Sequence, residues 1–364
     1  MASDGDVNIG EYLRQLVERG GSDLHVKAGA PPVIRIDGVL HRTDLPALGP
    51  DDTERMARAL MDDRAAREFA ETGEADFAYT LPGLGRFRCN AYRQRGAAGL
   101  AVRSVLAGSA SFASLGLPPV VETLAGELRG LLLVTGMTGS GKTTTTGAIV
   151  HHINCTRSVH IMTVEDPIEI LHADRMAIVN QREVGIDTKD FSQALRRVLR
   201  QDPDVIFIGE MRDHETVQTA LTAAETGHLV ISTLHTIDAA ETVNRVIELY
   251  PPHQQMQARI TLAGSLKGIL SQRLLPRADG RGRIPAIEVL VMTGRVRDLI
   301  VNPEQTHLIE QVIAEGDYYG MQTFDQSLLR LFREGHIRLD DALAAASSSH
   351  DFHLMVRQAG LAPS

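Results

Sequence analysis

Cysteine is almost missing from this chain. Cys89 and Cys155 lie far apart and form no CxxC pair, so neither a disulfide framework nor a zinc site is indicated, which fits a reducing compartment. Lysine is scarce too: Lys27, Lys142, Lys189 and Lys267 stand against abundant arginine, and this makes the place of Lys142 more noticeable. No apolar run approaches the roughly 18 residues that span a bilayer. The start, MASDGDVNIG, has neither a basic n-region nor an apolar h-region, which argues against export. Surplus positive charge is also lacking. A formal net charge of −9 and a pI near 5.9 exclude non-specific nucleic-acid binding as a default, because neutralising phosphates needs a basic surface. What is present is ordinary globular composition, 43% hydrophobic and 23% charged. At 364 residues the chain exceeds what one core usually supports, and two domains are expected.

The stretch Ala107 to Pro119, AGSASFASLGLPP, has no hydrophobic period and carries breakers, which places a boundary there. Before it, Pro32 to Leu40 reads as strand, an Asp37-Gly38 turn and strand, Asp51 to Glu71 as a helix, and the whole as an antiparallel sheet with helices. Arg86 to Tyr92 alternates, putting Arg86, Arg88 and Asn90 on one strand face and Phe87, Cys89 and Ala91 on the other. After the boundary, short apolar runs separated by helical stretches make a βα alternation, with strands at Leu131 to Thr135, Val159 to Val164, Val205 to Ile208 and Leu229 to Leu234. Asp190 to Arg200 has helical spacing in Phe191, Leu195, Val198 and Leu199 and ends at Asp202-Pro203. From about Pro252 the chain reads as mostly helical, with Ala342 to Ser349 a frayed or linker segment and no internal repeat.

The strongest chemical signal is GMTGSGKT, Gly136 to Thr143, which matches GxxxxGK[ST] between an apolar strand and a helix-compatible stretch. Its glycines let successive N–H groups curl round a phosphate, Lys142 neutralises charge, and the Thr143 hydroxyl suits Mg²⁺. Phosphate contacts are therefore expected from Gly136, Thr138, Gly139, Ser140, Gly141, Lys142, Thr143 and Thr144. The strand Val205 to Ile208 ends in Gly209-Glu210, a carboxylate positioned to hold the Mg²⁺ shell through water. Glu165 follows a strand end in Glu165-Asp166-Pro167-Ile168-Glu169, where a glutamate can orient an attacking water. His228 and His235 bracket the next strand, and each either senses a γ-phosphate or bonds to backbone. His151-His152, His350 and His353 have metal spacings, but no Cys or acid completes a set near them; only Mg²⁺ is expected.

The order and spacing of these boxes, GMTGSGKT, VEDPIEI, VIFIGEMRD and GHLVISTLHT, resemble the secretion ATPase superfamily and most closely the PilT family of type IV pilus retraction ATPases. Gly21-Ser22-Asp23-Leu24-His25, PPVIRIDG and GRFRCNAY extend the resemblance over nearly the whole chain. It implies an α/β chain with an N-terminal PAS-like α+β domain (1–106), a linker (107–119) and a RecA-like P-loop ATPase domain with C-terminal helices (120–364). It also implies a cytoplasmic homohexamer using ATP and Mg²⁺ at the inner face of the inner membrane, acting on a platform protein and only indirectly on pilins. Residue by residue, Glu165 matches the catalytic glutamate of the Asp box, Glu210 the Walker B glutamate, and His228 and His235 the His box. Arg88 and Arg103 match phosphate-reaching arginines of the first domain, and Arg86 shares the face of Arg88. Val296-Arg297-Asp298-Leu299-Ile300 resembles the AIRNLI element of retraction ATPases, departing at Arg295 and Asp298. Leu299 and Ile300 are expected as its apolar anchor for whatever the ring moves, with Arg297 at the rim. Extension ATPases carry an extra N-terminal domain and a tetracysteine zinc element; neither is seen in this sequence. An accessory retraction paralogue or another secretion-type ATPase would share every nucleotide box.

Overall fold

The computed structural model describes residues 8–361 apart from Asp37 and Ser109. The chain divides into two compact units, the first ending at Ala107 and the second beginning at Gly108.

The first unit contains β1 (Asp23–Lys27), β2 (Val33–Ile36), β3 (Val39–Arg42), β4 (Glu74–Leu81), β5 (Gly85–Gln94), β6 (Ala97–Ser104) and the short β7 (Leu106–Ala107). The first six form an antiparallel sheet in the order β3-β2-β1-β6-β5-β4. Helix Ile9–Glu18 starts where the Asn8 side chain accepts the Gly10 N–H, and it buries Ile9, Tyr12, Leu13 and Leu16 at helical spacing. On β5 the alternation holds: Phe87, Cys89 and Ala91 are buried in the core and Arg88 is exposed. The hairpin β2–β3 is as expected, though Asp37 of its turn lies outside the described residues. The single helix expected over 51–71 is two, Pro50–Leu60 and Asp63–Thr72. Met61 is extended, and the Asp62 carboxylate accepts from Ala65 N and starts a second helix where the first ends.

The second unit contains β8 (Gly130–Thr135), β9 (His160–Glu165), the short β10 (Ile170–Leu171), β11 (Ile178–Glu183), β12 (Val205–Ile208), β13 (Leu229–Leu234), β14 (Leu266–Pro276) and β15 (Arg283–Val291). Seven of these make one sheet, β11-β9-β12-β13-β8-β14-β15, parallel throughout except for β15. Both faces are covered. Leu131 and Leu133 of β8 enter one core and Leu132 and Val134 the other, which is why these strands read as continuous apolar runs. The hairpin β14–β15 corrects the mostly helical reading beyond Pro252. Its Asp279-Gly280 turn and the run Ile284 to Val291 were strand signals, but buried strands without alternation resemble core helices in sequence. The segment 342–349 is not frayed either. Ala342 is fully buried in helix Leu339–Ala345, and helix Ser349–Gln358 follows, with both packed in a core that includes Leu275, Leu328 and Phe352.

Candidate active site

The carboxyl ends of β8, β9, β12 and β13 lie at one edge of the sheet, where doubly wound sheets place their ligands. From β8 the chain turns at Gly136, whose φ of 138° and surroundings exclude a side chain: a Cβ would stand 2.5 Å from the Gln272 carbonyl oxygen and from Ser140 Oγ. Gly141, at φ 93°, precedes helix Lys142–Thr156 without a side-chain cap. The first N–H groups of that helix are thus left for an anion. Lys142 Nζ donates to the carbonyls of Gly136 at 2.6 Å and Met137 at 3.2 Å. Burial holds the Lys142 ammonium below its ordinary pKa, although the charges of Glu210 and Glu169 pull the other way. Thr138, Gly139, Gly141, Lys142, Thr143 and Thr144 line a cavity of about 490 Å³. Gly136 and Ser140 line a separate one of about 240 Å³, along with Thr138 and Gly139.

Three glutamates, Glu165, Glu169 and Glu210, line the larger cavity, and the first and last of them stand in different settings. Glu165 closes β9, 7% exposed, and its Oε1 accepts from Thr163 Oγ1 at 2.6 Å and Gln181 Nε2 at 3.1 Å. Burial pushes its pKa up to about 7, against those hydrogen bonds. A carboxyl that releases its proton near neutrality suits a general base. Glu210, after β12, accepts from Arg212 Nε at 2.7 Å and stands 3.3 Å from His235 Nε2. Its loop is fixed by Gly209 N–H donating to the Val164 carbonyl at 2.8 Å and by Thr233 Oγ1 donating to the Gly209 carbonyl at 2.7 Å. The loop from His235 enters helix Ala239–Glu248, whose Ala239 N–H donates to Glu288 Oε1 at 2.8 Å. Glu288 is 4% exposed, and burial raises its pKa to about 7.

The structure thus brings Lys142, Thr143, Glu165, Glu210 and His235 together around one cavity. His228 is not among them. It precedes β13 at the opposite edge of the sheet, where its carbonyl accepts from Gly130 N and its Nδ1 lies 3.0 Å from the Ala223 carbonyl. Two histidines that bracket a parallel strand stand at opposite ends of it, so only one reaches the carboxyl edge. Arg88 and Arg103 belong to the first unit and pair directly across β5 and β6. Arg103 Nε donates to Asp23 Oδ1 at 2.7 Å. Burial pushes the Asp23 carboxyl up, but hydrogen bonds from Ser22 and Arg103 outweigh it and hold the group below the usual range. Arg86 Nη1 approaches Thr80 Oγ1 at 3.5 Å. Arg212 lay inside the VIFIGEMRD box without a role assigned to it; Gln181, Arg283 and Glu288 escaped the sequence reading. Of these only Glu288 left a trace, an acid inside the apolar run Ile284 to Val291.

Helix Gly294–Val301 corrects another expectation. Val296, Leu299 and Ile300 are buried in the core, leaving Arg295, Arg297 and Asp298 exposed. Leu299 and Ile300 are used for packing and offer no apolar anchor to a partner. No helix among the described residues is long and apolar enough to cross a membrane.

A family model described as type II/IV secretion system protein matches residues 119–328. The type IV pilus retraction ATPase PilT of Pseudomonas aeruginosa is 42% identical over 346 residues, covering 95% of this chain and 100% of that protein. The type IV pilus ATPase PilU of the same organism is 41% identical over 347 residues, covering 95% of this chain and 91% of that protein. Among solved structures, a crystal structure of the pilus retraction motor PilT with bound ADP superposes with a TM-score of 0.88 at 46% identity, over 96% of this chain and 99% of that one. The phosphate loop with the cavity-facing Glu165 and Glu210, and this near end-to-end match, place the chain in the type II/IV secretion system protein family, within the PilT family of pilus retraction ATPases.

Proposed function

We propose that this chain is the ATP-hydrolysing motor of type IV pilus retraction, acting as a homohexamer at the cytoplasmic face of the inner membrane on a platform protein, and on pilins only through it. The observation that carries this reading is the convergence of Lys142, Glu165, Glu210 and His235 on one cavity, in a chain aligned with PilT over 95% of its length. The amides of Gly139 to Thr144 and the Lys142 ammonium hold the β- and γ-phosphates. Glu165 takes a proton from the attacking water as its oxygen bonds to the γ-phosphorus. The bond to the bridging oxygen breaks, and ADP leaves with that electron pair. The Thr143 hydroxyl and the Glu210 carboxylate are the hard oxygen donors that Mg²⁺ takes, and both line the cavity; the ion would be held by Thr143 directly and by Glu210 through water. Bound there, Mg²⁺ screens phosphate charge. His235 orients the Glu210 carboxylate. Arg88 and Arg103 are assigned to the nucleotide phosphates, where a guanidinium fork suits paired oxygens.

The test is loss of the gene followed by counting surface pili. A retraction motor leaves excess pili and no twitching, whereas an extension motor leaves none. PilU matches almost as well as PilT, 41% against 42% identity, and this favours one second reading, an accessory retraction ATPase. In that case the deletion leaves part of retraction intact.

A further inference from the structure

Arg259, on helix Gln255–Ser265, is 9% exposed, and among the described residues no carboxylate pairs with it. Burying a guanidinium without a counter-charge is costly unless its donors find acceptors. Here the acceptors come from three different segments. Nη1 donates to the Ile300 carbonyl at 2.9 Å and to Thr306 Oγ1 at 3.1 Å, and Nη2 donates to Asn244 Oδ1 at 3.4 Å.

Two of these partners mark the ends of a path. Ile300 lies in the last turn of helix Gly294–Val301, where carbonyls lack intrahelical donors and the helix dipole is negative. Arg259 supplies both the missing donor and the positive charge. Asn244 lies in helix Ala239–Glu248, which begins four residues after His235 and whose first turn is tied to the sheet by Glu288. The His235 loop runs directly into this helix, so a displacement of the loop would bear on its first turn, and Arg259 joins that helix to the carboxyl end of 294–301. A lysine cannot reproduce the connection, because its single nitrogen does not span acceptors on separate segments as the planar fork does.

We propose that Arg259 is a positioning residue that couples the nucleotide-dependent placement of His235 to the helix 294–301. The inference rests on the motor reading above. Its test is hydrogen–deuterium exchange of residues 294–308 in the full chain, without nucleotide and with a non-hydrolysable ATP analogue, for the wild type, Arg259→Lys and Asn244→Ala. In the wild type the analogue should change protection of this segment. Both variants should still bind the analogue and hydrolyse ATP, while losing that nucleotide-dependent difference. Asn244→Ala leaves the bonds from Arg259 to Ile300 and Thr306 in place, so it separates coupling from a folding defect. Local glue without coupling would lower protection equally in both states and preserve the difference; that result overturns the proposal. It is equally overturned if the wild type binds the analogue with no change at 294–308. A wild type that fails to bind the analogue at all instead sinks the motor reading, and this inference with it.

Discussion

At the residue scale Lys142 and Glu165 should separate binding from turnover. Lys142→Ala should weaken nucleotide binding, whereas Glu165→Gln should leave it and slow hydrolysis on the order of 10²–10³-fold, measured by equilibrium binding beside steady-state turnover. Glu165 is useful as a base only once its proton is gone, so kcat/KM of the wild type, which reports the free enzyme, should rise with pH through about 7, and the Gln variant should lose that rise. Unaltered turnover in Glu165→Gln would remove it as the base. Arg88→Lys should also impair turnover while leaving the first unit folded, because a point charge does not replace the fork; an unchanged rate takes Arg88 off the site. Glu288 predicts a stability effect of definite sign. Its pKa is raised from 4.5 to about 7, so the folded state binds more protons than the unfolded one in that window and stability falls as pH rises through it. Glu288→Gln removes this slope. Its unfolding free energy relative to the wild type should be higher at pH 8 than at pH 5, by about 2–3 kcal/mol. A pH-independent difference would contradict the assignment.

Among the elements, helix Gly294–Val301 shows what burial changes in a sequence-based expectation. Leu299→Ala opens a cavity in the core and should cost about 2–5 kcal/mol in denaturant unfolding. Loss of pilus retraction in that variant would therefore say nothing about coupling. Arg297→Ala, at an exposed position, should stay within about 0.5 kcal/mol of the wild type and keep basal ATPase while impairing retraction. Normal twitching in Arg297→Ala would leave the exposed face of this helix without a transmission role. Alternation made β5 legible because only one of its faces is buried. The hairpin β14–β15 was not, since strands buried on both sides lose the period that distinguishes them from core helices. The division of 50–72 into two helices turned on a single side chain, Asp62, bonded to Ala65 N. An acid between two helical runs reads equally well as a surface residue of one long helix.

For the molecule as a whole, the cores are separate: one cluster is drawn from residues 9–102, and the other three from residues 117–356. Fragments 1–107 and 108–364 should therefore each give a cooperative melt by circular dichroism, and a non-cooperative melt for either would show that it lacks an independent core. The sequence by itself determined the phosphate loop, the strand ends carrying Glu165 and Glu210, and the βα alternation. These are local matters: glycine freedom, strand periodicity and the chemistry of neighbouring residues are all written within about ten positions. Only the tertiary structure decided that His235 joins Glu210 while His228 does not, and that β14 lies beside β8 in the same sheet. It also decided that Leu299 and Ile300 face inward and that Glu288 and Arg259 are buried with partners far along the chain. The physical reason is common to all of these. Strand order and helix packing follow from burying both faces of one sheet, and a side chain's partner across that sheet has no fixed distance in sequence.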